Sequence, residues 1–309
     1  MSITRLAPSP TGALHLGNAR TFLINWMLAR QNGWKIILRI EDIDGPRIKA
    51  GADRQAIDDL QWLGMDWDEG PIYQLPRLAL YQRAVEQLLE LKLAYPCVCS
   101  RKEVELAASA PHAEDGAAVY PGTCRGRFAS IQEAKDASGK DPAIRFIVPD
   151  ETVDFVDLFA GAVTTQTKQL GDFVIAKADG TPAYQLAVVV DDAAMGVTHV
   201  VRGDDLIDST PRQILLYRAL GMPEEIPTYL HLPLVVGEDG LRLAKRHGDT
   251  RLSHYRQRGI SPQRVLGLMA RWCGINGYDE IELHELSSEF DVDRVPREPI
   301  IFLKADDLE

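Results

Sequence analysis

The first 93 residues alternate between short apolar runs and longer stretches in which apolar residues recur with helical spacing. The runs at Ile3–Leu6 and 34–40 are nearly continuous, which is typical of strands buried on both faces of a parallel sheet. The stretches at 19–31, 52–63 and 77–92 predict helices, and a glycine closes each of the first two. This alternation predicts the opening half of a Rossmann-type, doubly wound α/β sheet.

The hydrophobic pattern changes at residue 94. Up to residue 190 the sequence contains short strands, loops and an alanine-rich stretch at 104–118, and we interpret it as an α+β domain inserted into the sheet. Within this segment, Asp179-Gly180 separates apolar runs at 173–177 and 183–188, which predicts a hairpin.

The sheet pattern resumes at 191–240, where apolar runs flank a predicted helix at 209–220. The segment 241–309 begins with a basic loop and continues with mostly helical spacing; Ser261-Pro262 reads as an N-cap followed by the first helical residue. The sequence therefore predicts two halves of one sheet, 1–93 and 191–240, separated by an insertion at 94–190 and followed by a short helical region.

Composition narrows the possible classes of protein. The chain has 309 residues, of which 45% are hydrophobic and 26% charged, as in ordinary globular proteins. It has neither a long apolar run nor a cationic, apolar leader, so we expect a cytoplasmic protein without a membrane span. The net charge of −11 does not favour nucleic-acid binding, although a local basic cluster such as 242–258 could still provide it.

Three of the four cysteines cluster in the predicted insertion, namely Cys97, Cys99 and Cys124. In a cytoplasmic chain this arrangement favours a metal site over disulfides, and three thiolates with one further donor suit tetrahedral zinc. Tyr120 and His112 are the competing fourth ligands. The fourth cysteine, Cys273, lies in an apolar helical pattern and is interpreted as a buried thiol.

The loop that follows the first strand is the most informative stretch of the sequence about function. Residues 5–18 read Arg-Leu-Ala-Pro-Ser-Pro-Thr-Gly-Ala-Leu-His-Leu-Gly-Asn and lead from the strand into a predicted helix. A turn at a helix N-terminus presents backbone N–H groups to phosphate, and Gly17 would let a nucleotide approach the backbone closely. By itself the loop predicts an anion site.

The order of these residues resembles the first signature of the class I aminoacyl-tRNA synthetases, and Ala7-Pro-Ser-Pro-Thr-Gly12 is similar to the glutamyl branch. Asn18 occupies the position of the signature's usual last histidine. Arg242-Leu-Ala-Lys-Arg246 resembles the second signature, usually Lys-Leu-Ser-Lys-Arg, from which Arg242 and Ala244 depart.

The resemblance implies an ATP site with His15 and Lys245 as catalytic residues that stabilise the transferring phosphates. Mg²⁺ would balance the phosphate charge. The implied ATP-binding residues come from both signatures: Pro8, Thr11, Gly12, His15, Gly17, Asn18, Arg242, Leu243, Ala244, Lys245 and Arg246.

The resemblance also implies a site for L-glutamate. Glu41, at the end of the second strand, would bind the amino group, and Arg5 and Arg202 are the cations available for the two carboxylates. Tyr184 would add a hydroxyl contact. Asp204 or Asp205 would either position Arg202 or bind ribose. The remaining implied glutamate-binding residues follow Arg5 in the first loop: Leu6, Ala7, Pro8 and Ser9.

Within the family, the Cys97-x-Cys99…Tyr120-x3-Cys124 pattern resembles the glutamyl-Q tRNA(Asp) synthetases, in which a tyrosine completes the zinc site. Ordinary zinc-bearing glutamyl enzymes have a histidine where this chain has Gly126. The segment 241–309 is interpreted as a stem-contact-like region, and we expect no anticodon-binding domain after it.

The resemblance implies a reaction with ATP, glutamate and the queuosine base of tRNA(Asp), and no obligate protein partner. Three alternatives stay open at this point: a glutamyl-tRNA synthetase lacking its anticodon-binding domain, a nucleotidyltransferase with a small acceptor, and a non-catalytic RNA-binding paralogue.

Overall fold

The computed structural model describes residues 1–43, 45–100, 102–104, 119–241, 243 and 248–308. The predicted alanine-rich stretch falls mostly on 105–118, outside the described residues. The strands are β1 Ile3–Leu6, β2 Lys35–Ile40, β3 Glu69–Tyr73, β4 Ala94–Cys97, β5 Ala143–Phe146, β6 Thr152–Asp157, β7 Gly161–Gln166, β8 Phe173–Ala176, β9 His199–Gly203, β10 Thr228–Leu232, β11 Val235–Val236 and β12 Ile300–Ile301. The α-helices are α1 Leu16–Gln31, α2 Ala52–Trp62, α3 Leu78–Glu90, α4 Ile131–Ser138, α5 Tyr184–Ala194, α6 Thr210–Ala219, α7 Leu252–Gln257, α8 Pro262–Trp272 and α9 Leu283–Glu289.

The central sheet is parallel, as the sequence predicts. β2 pairs in parallel with β1 and β3, and β10 pairs in parallel with β9 and β6. The two halves meet where the Thr198 amide donates to the Ile3 carbonyl over 2.9 Å and the Ile3 amide donates to Thr198 Oγ1 over 2.8 Å. The order β3-β2-β1 followed by β9-β10 puts a topological switch between β1 and β9, and ligands bind at the carboxyl ends of the strands beside such a point.

Helix α1 begins at Leu16, three residues before the predicted start. His15 is its N-cap, with an extended backbone at φ −111° and ψ 165°. Leu16 is fully buried and its amide donates to the Thr250 carbonyl over 2.9 Å, so a distant segment fixes the first turn. The early start places the histidine of the first loop directly at the helix N-terminus.

The hairpin predicted around Asp179-Gly180 is wrong in its second arm. Residues 184–194 form α5, whose Leu186, Val188 and Val189 are at most 2% exposed. The β-branched residues in this run are typical of a strand. The run packs against α3 and α6 and forms a helix, because β-propensity depends strongly on context.

The segment 94–190 contributes strands to two sheets. β4, β5 and β8 form a small antiparallel sheet, whereas the hairpin of β6 and β7 joins the central sheet next to β10. The domain boundaries stay a prediction.

The C-terminal region is helical over α7, α8 and α9, and the Ser261 hydroxyl accepts from the Arg264 amide as an N-cap does. It also contains β12, which pairs with β11. Within the described ranges, none of the helices combines the length and apolar character needed to cross a bilayer.

One buried carboxylate makes the stability of the fold depend on pH. Asp59 of α2 is fully buried; its Oδ1 accepts from Gln55 Nε2 over 2.8 Å, and Oδ2 has no hydrogen-bond partner among the described residues. Burial raises the pKa of Asp59 to about 6, against the opposing pull of Gln55 and Arg256. Folding therefore favours the protonated carboxyl more than the unfolded chain does. The free energy of unfolding falls as the pH rises from the unfolded pKa through the folded pKa.

Replacing Asp59→Asn should remove this loss. We expect the variant to be more stable than the parent by roughly 1–3 kcal/mol at pH 8 and by little at pH 4, since one pKa unit corresponds to about 1.4 kcal/mol. Urea unfolding at both pH values measures the difference. Asp58→Asn, at the exposed neighbouring position, is the control and should change stability little at either pH. Parallel pH profiles for Asp59→Asn and the parent would contradict the assignment.

Candidate active site at the carboxyl edge of the sheet

The first loop is held between the end of β2 and the segment that leads into α7. The Glu41 amide donates to the Pro8 carbonyl over 3.1 Å, and Ser9 Oγ donates to the Glu41 carbonyl over 3.4 Å. On the other side, His15 forms an antiparallel bridge with Arg251. The predicted ATP residues Pro8 to Asn18 thus run from β1 into the first turn of α1, directly beside the predicted position of the amino group of glutamate.

A cleft of 520 Å³ opens beside this loop. Its lining includes Gly12, His15, Lys49, Gly51 and Arg251. Gly17 lies against the histidine, since a Cβ added at Gly17 would be 3.4 Å from the His15 ring. The cleft is therefore lined both by His15, at the N-terminus of α1, and by the residues at the N-terminus of α2.

Lys49 is a cation of this cleft that the sequence analysis missed. Its amide donates to the Pro10 carbonyl over 3.0 Å, and its Nζ would lie 3.8 Å from a Cβ built on Gly12. The only signal in the sequence was a lysine shortly after the Glu41 segment and just before a predicted helix.

Most of the second signature lies outside the described residues, namely Arg242, Ala244, Lys245 and Arg246. The described Leu243 is 3% exposed and its amide donates to the Val235 carbonyl over 3.4 Å. On the far side of the signature, Thr250 contacts the start of α1. The role of Lys245 stays a prediction.

The predicted glutamate residues lie on a network of buried charges. Arg39 Nη1 lies 2.5 Å from Asp192 Oδ1 and Arg39 Nη2 lies 3.1 Å from Glu41 Oε1. Arg5 Nε lies 3.5 Å from the same Asp192 oxygen. Burial raises the pKa of Glu41, while Arg39 and Arg5 oppose the rise. The network holds Glu41 and Arg5 in fixed positions at the switch point of the sheet.

Arg39 and Asp192 were missed by the sequence analysis. The only sequence signal for Arg39 was a charge inside the apolar second strand, and for Asp192 it was a pair of aspartates directly after an apolar run.

Arg202 of β9 is 5% exposed and is held on two sides. Its Nε donates to His231 Nε2 over 2.9 Å, and its Nη2 donates to Thr210 Oγ1 over 2.9 Å and to the Leu206 carbonyl over 3.3 Å. Its Nη1 is buried and has no hydrogen-bond partner in the described part of the chain. This nitrogen is a donor that a bound anion can satisfy.

Tyr184, the first residue of α5, is 38% exposed, and its hydroxyl is within the electrostatic influence of the other three residues. Burial raises the pKa of its hydroxyl; Arg202 and Arg5 oppose the rise, and Glu41 adds to it. The hydroxyl therefore shares one electrostatic environment with the other three predicted residues. The structure brings Arg5, Glu41, Tyr184 and Arg202 together, while their roles toward a ligand stay a prediction.

The three clustered cysteines also converge. Their Sγ atoms all lie within 4.8 Å of one another. The Tyr120 hydroxyl lies 3.4 Å from Cys97 Sγ and 3.5 Å from Cys99 Sγ, and it accepts from the Cys124 amide over 2.8 Å. In a tetrahedral site with Zn–S of about 2.3 Å and Zn–O of about 2.0 Å, the ligand atoms are about 3.5–3.8 Å apart. The residues present fit zinc; the rival ligand His112 lies outside the described residues.

Comparison with known proteins decides the family. Residues 2–306 match the catalytic domain of class I tRNA synthetases of the E and Q type. The chain belongs to this family. It is therefore an ATP-dependent ligase, and the family uses ATP with Mg²⁺.

Individual relatives share most of the chain. It is 52% identical to a glutamyl-Q tRNA(Asp) synthetase of Symbiobacterium thermophilum, over 96% of this chain and 94% of the relative. A glutamate–tRNA ligase of a Synechococcus species is 46% identical over 95% of this chain and 62% of the ligase. A solved glutamate tRNA ligase of Elizabethkingia meningosepticum, in complex with its amino acid, superposes with a TM-score of 0.82 at 30% identity, over 99% of this chain and 68% of that one.

Removing the central cation should damage the fold as well as the site. Arg39→Met leaves Asp192 and Glu41 buried without their main partner, which costs about 3–5 kcal/mol of stability. Urea unfolding of the variant and the parent measures this difference. Arg30→Met, which breaks ion pairs with the exposed Asp66 and Asp68, is the control and should cost less than about 1 kcal/mol. If Arg39→Met lowered the free energy of unfolding no more than Arg30→Met does, the charge network would not be stabilising this edge of the sheet.

Proposed function

We propose that this protein activates L-glutamate with ATP to glutamyl-adenylate and transfers the glutamyl group to the queuosine base in the anticodon loop of tRNA(Asp). The observation that carries the first step is the buried charge network that joins Arg5 to Glu41 at the switch point of the sheet, beside Arg202 and the loop of the first signature. The acceptor is supported by the names of two relatives, the one from Symbiobacterium thermophilum at 52% identity and one from Rhodopirellula baltica at 48%, which are both called glutamyl-Q tRNA(Asp) synthetase.

Glutamate carries two carboxylates and one ammonium, and the site offers complementary groups. Glu41 accepts from the ammonium, and Arg5 and Arg202 each take one carboxylate. Arg202 Nη1 is buried without a partner among the described residues, so a carboxylate satisfies it whereas the amide of glutamine pairs with it more weakly.

ATP is proposed to lie in the cleft beside His15. The partial positive charge at the N-terminus of α1 and the ammonium of Lys49 both favour phosphate there. His15 donates to the phosphate oxygens and Lys245 supplies the second cation as charge moves to pyrophosphate. Catalysis in this scheme is positioning and charge stabilisation, and the carboxylate of glutamate is itself the nucleophile.

The nearest alternative acceptor is the 3′ end of a tRNA, as in a glutamate–tRNA ligase. The 46% identity to such a ligase favours this candidate, because the catalytic half is shared. A small non-RNA acceptor is a weaker candidate, because the four-residue glutamate site would be retained without need.

Zinc is proposed to bind Cys97, Cys99, Cys124 and Tyr120 and to hold the loops of this region together. Three thiolates and a phenolate outweigh the charge of Zn²⁺, and Arg145 is placed to compensate. Its Nε lies 3.3 Å from Cys97 Sγ and its guanidinium lies 3.8 Å above the Tyr120 ring. Cys273 is fully buried elsewhere, beside Arg20, and takes no part.

The two-step reaction gives a direct test. Purified protein should catalyse pyrophosphate–ATP exchange only when glutamate is added, and Lys245→Ala should reduce the rate by at least about 100-fold because a phosphate-stabilising cation is lost. Circular dichroism checks that the variant is folded. Exchange with glutamine but not glutamate, or equal rates for Lys245→Ala and the parent, would contradict the proposed activation step.

The acceptor is identified with labelled glutamate and tRNA lacking its 3′-terminal adenosine. Queuosine-containing tRNA(Asp) without this adenosine should still be labelled, because the proposed acceptor is a hydroxyl of the base in the anticodon loop. tRNA(Asp) without queuosine is the matched control and should stay unlabelled. Labelling that requires the terminal adenosine would establish glutamate–tRNA ligase activity instead.

The metal is tested independently of activity. The purified protein should contain about one zinc per chain by elemental analysis, and Cys124→Ser should lose it and unfold at a lower temperature because a closed site is opened. Cys273→Ser is the control and should retain zinc. Absence of zinc from the parent, or equal zinc in Cys124→Ser, would overturn the ligand set.

A further inference from the structure

A chain of buried polar groups leads from Arg202 of the predicted glutamate site to His231 and Asp157, which have no role in the proposed chemistry. It crosses three neighbouring strands: Asp157 ends β6, His231 lies on β10 and Arg202 lies on β9. His231 Nδ1 lies 2.6 Å from Asp157 Oδ2, and His231 Nε2 lies 2.9 Å from Arg202 Nε. Asp157 and His231 are each 1% exposed and Arg202 is 5% exposed. These contacts join residues up to 74 positions apart along the chain.

The donors and acceptors of this chain assign the proton on the histidine. Arg202 Nε can only donate, so His231 Nε2 must accept. The neutral ring then carries its proton on Nδ1, where the Asp157 carboxylate accepts it. The Thr210 hydroxyl, 3.3 Å from His231 Nε2, accepts from Arg202 Nη2 and is free to donate to the ring.

The surrounding charges favour the neutral ring. Burial lowers the pKa of His231 and Arg202 lowers it further, while Asp157 and Asp204 oppose the shift. Burial would raise the pKa of Asp157, but its hydrogen bonds from His231 and the Ala160 amide lower it overall, so Asp157 is a carboxylate. Tyr229 stacks on the His231 ring, with 6.0 Å between centroids, and faces the Arg202 guanidinium at 5.4 Å.

We propose that Asp157 and His231 are positioning residues for glutamate recognition. Asp157 fixes the tautomer of His231, and His231 in turn fixes the rotation of the Arg202 guanidinium, which leaves Nη1 as the nitrogen that takes a substrate carboxylate. This inference rests on the proposed function for its substrate. It adds that the hairpin of β6 and β7 contributes to amino-acid specificity through one carboxylate.

The geometry of Asp157 supplies an unusually selective variant. Oδ1 accepts from three backbone amides, those of Phe159 over 2.9 Å, Ala160 over 2.7 Å and His231 over 3.1 Å. In Asp157→Asn the amide oxygen must take this place, which puts the NH₂ group where Oδ2 faced His231 Nδ1. The ring then has to accept at Nδ1 and carry its proton on Nε2, directly against the Arg202 Nε–H.

Asp157→Asn should therefore raise the KM for glutamate roughly 10- to 100-fold and leave the KM for ATP within about 2-fold of the parent value. Glutamate-dependent pyrophosphate exchange measures both constants. Asp154→Asn is the matched control, because this exposed residue of the same strand contacts only the Thr164 hydroxyl in the described structure and should change neither constant. Equal effects on the two KM values, or none on either, would overturn the positioning role.

A second measurement depends neither on activity nor on the stability of Asp157→Asn. Nitrogen NMR of the parent protein labelled at histidine should show His231 as neutral, protonated at Nδ1 and unprotonated at Nε2; His231→Gln assigns the signal. A ring protonated at Nε2, or at both nitrogens at pH 7, would overturn the proposal. If the parent shows no glutamate-dependent exchange, the proposed function fails, and the tautomer measurement still decides the arrangement around Arg202.

Discussion

The pairing of one buried carboxylate with two arginines organises the site. Asp192 lies in the last turn of α5 and contacts Arg39 of β2 and Arg5 of β1, where an unpaired charge would be strongly unfavourable. Because Tyr184 is the first residue of the same helix, this pairing also sets the place of the tyrosine. Asp191, the neighbouring residue, accepts from Arg77, Tyr81 and Gln74 and ties α5 to the start of α3 in the same way.

A second feature of the fold is that the segment after the second signature returns to the loop of the first signature. The first signature connects β1 to α1, and the segment after the second signature returns to pair with it. The amide of Leu16 donates to Thr250 and the amide of Leu252 donates to the Leu14 carbonyl, each over 2.9 Å. These backbone bonds fix residues 250–252, which follow the second signature, beside His15.

The middle region is joined to the catalytic sheet more closely than an appended domain would be. Its hairpin of β6 and β7 extends the central sheet, and Asp157 at the end of β6 reaches the histidine beside Arg202. The thiol cluster lies instead with the small antiparallel sheet, since Cys97 ends β4 and Arg145 of β5 contacts it. One segment thus contributes to both proposed sites, through different sheets.

The sequence by itself determined the family, the parallel sheet, the Ser261 N-cap and the convergence of three cysteines, because each depends on local order or on a motif of neighbouring residues. It also named Arg5, Glu41, Tyr184 and Arg202, through resemblance to a known family. Only the tertiary structure decided that 184–194 is a helix, that α1 begins at Leu16 with His15 as its N-cap, and that Arg39, Asp192, His231 and Asp157 support the site. Those four residues act through partners that are distant in the sequence, 153 positions apart in the case of Arg39 and Asp192. A buried charge is stabilised by whichever group the fold places beside it, and no local sequence pattern specifies that group.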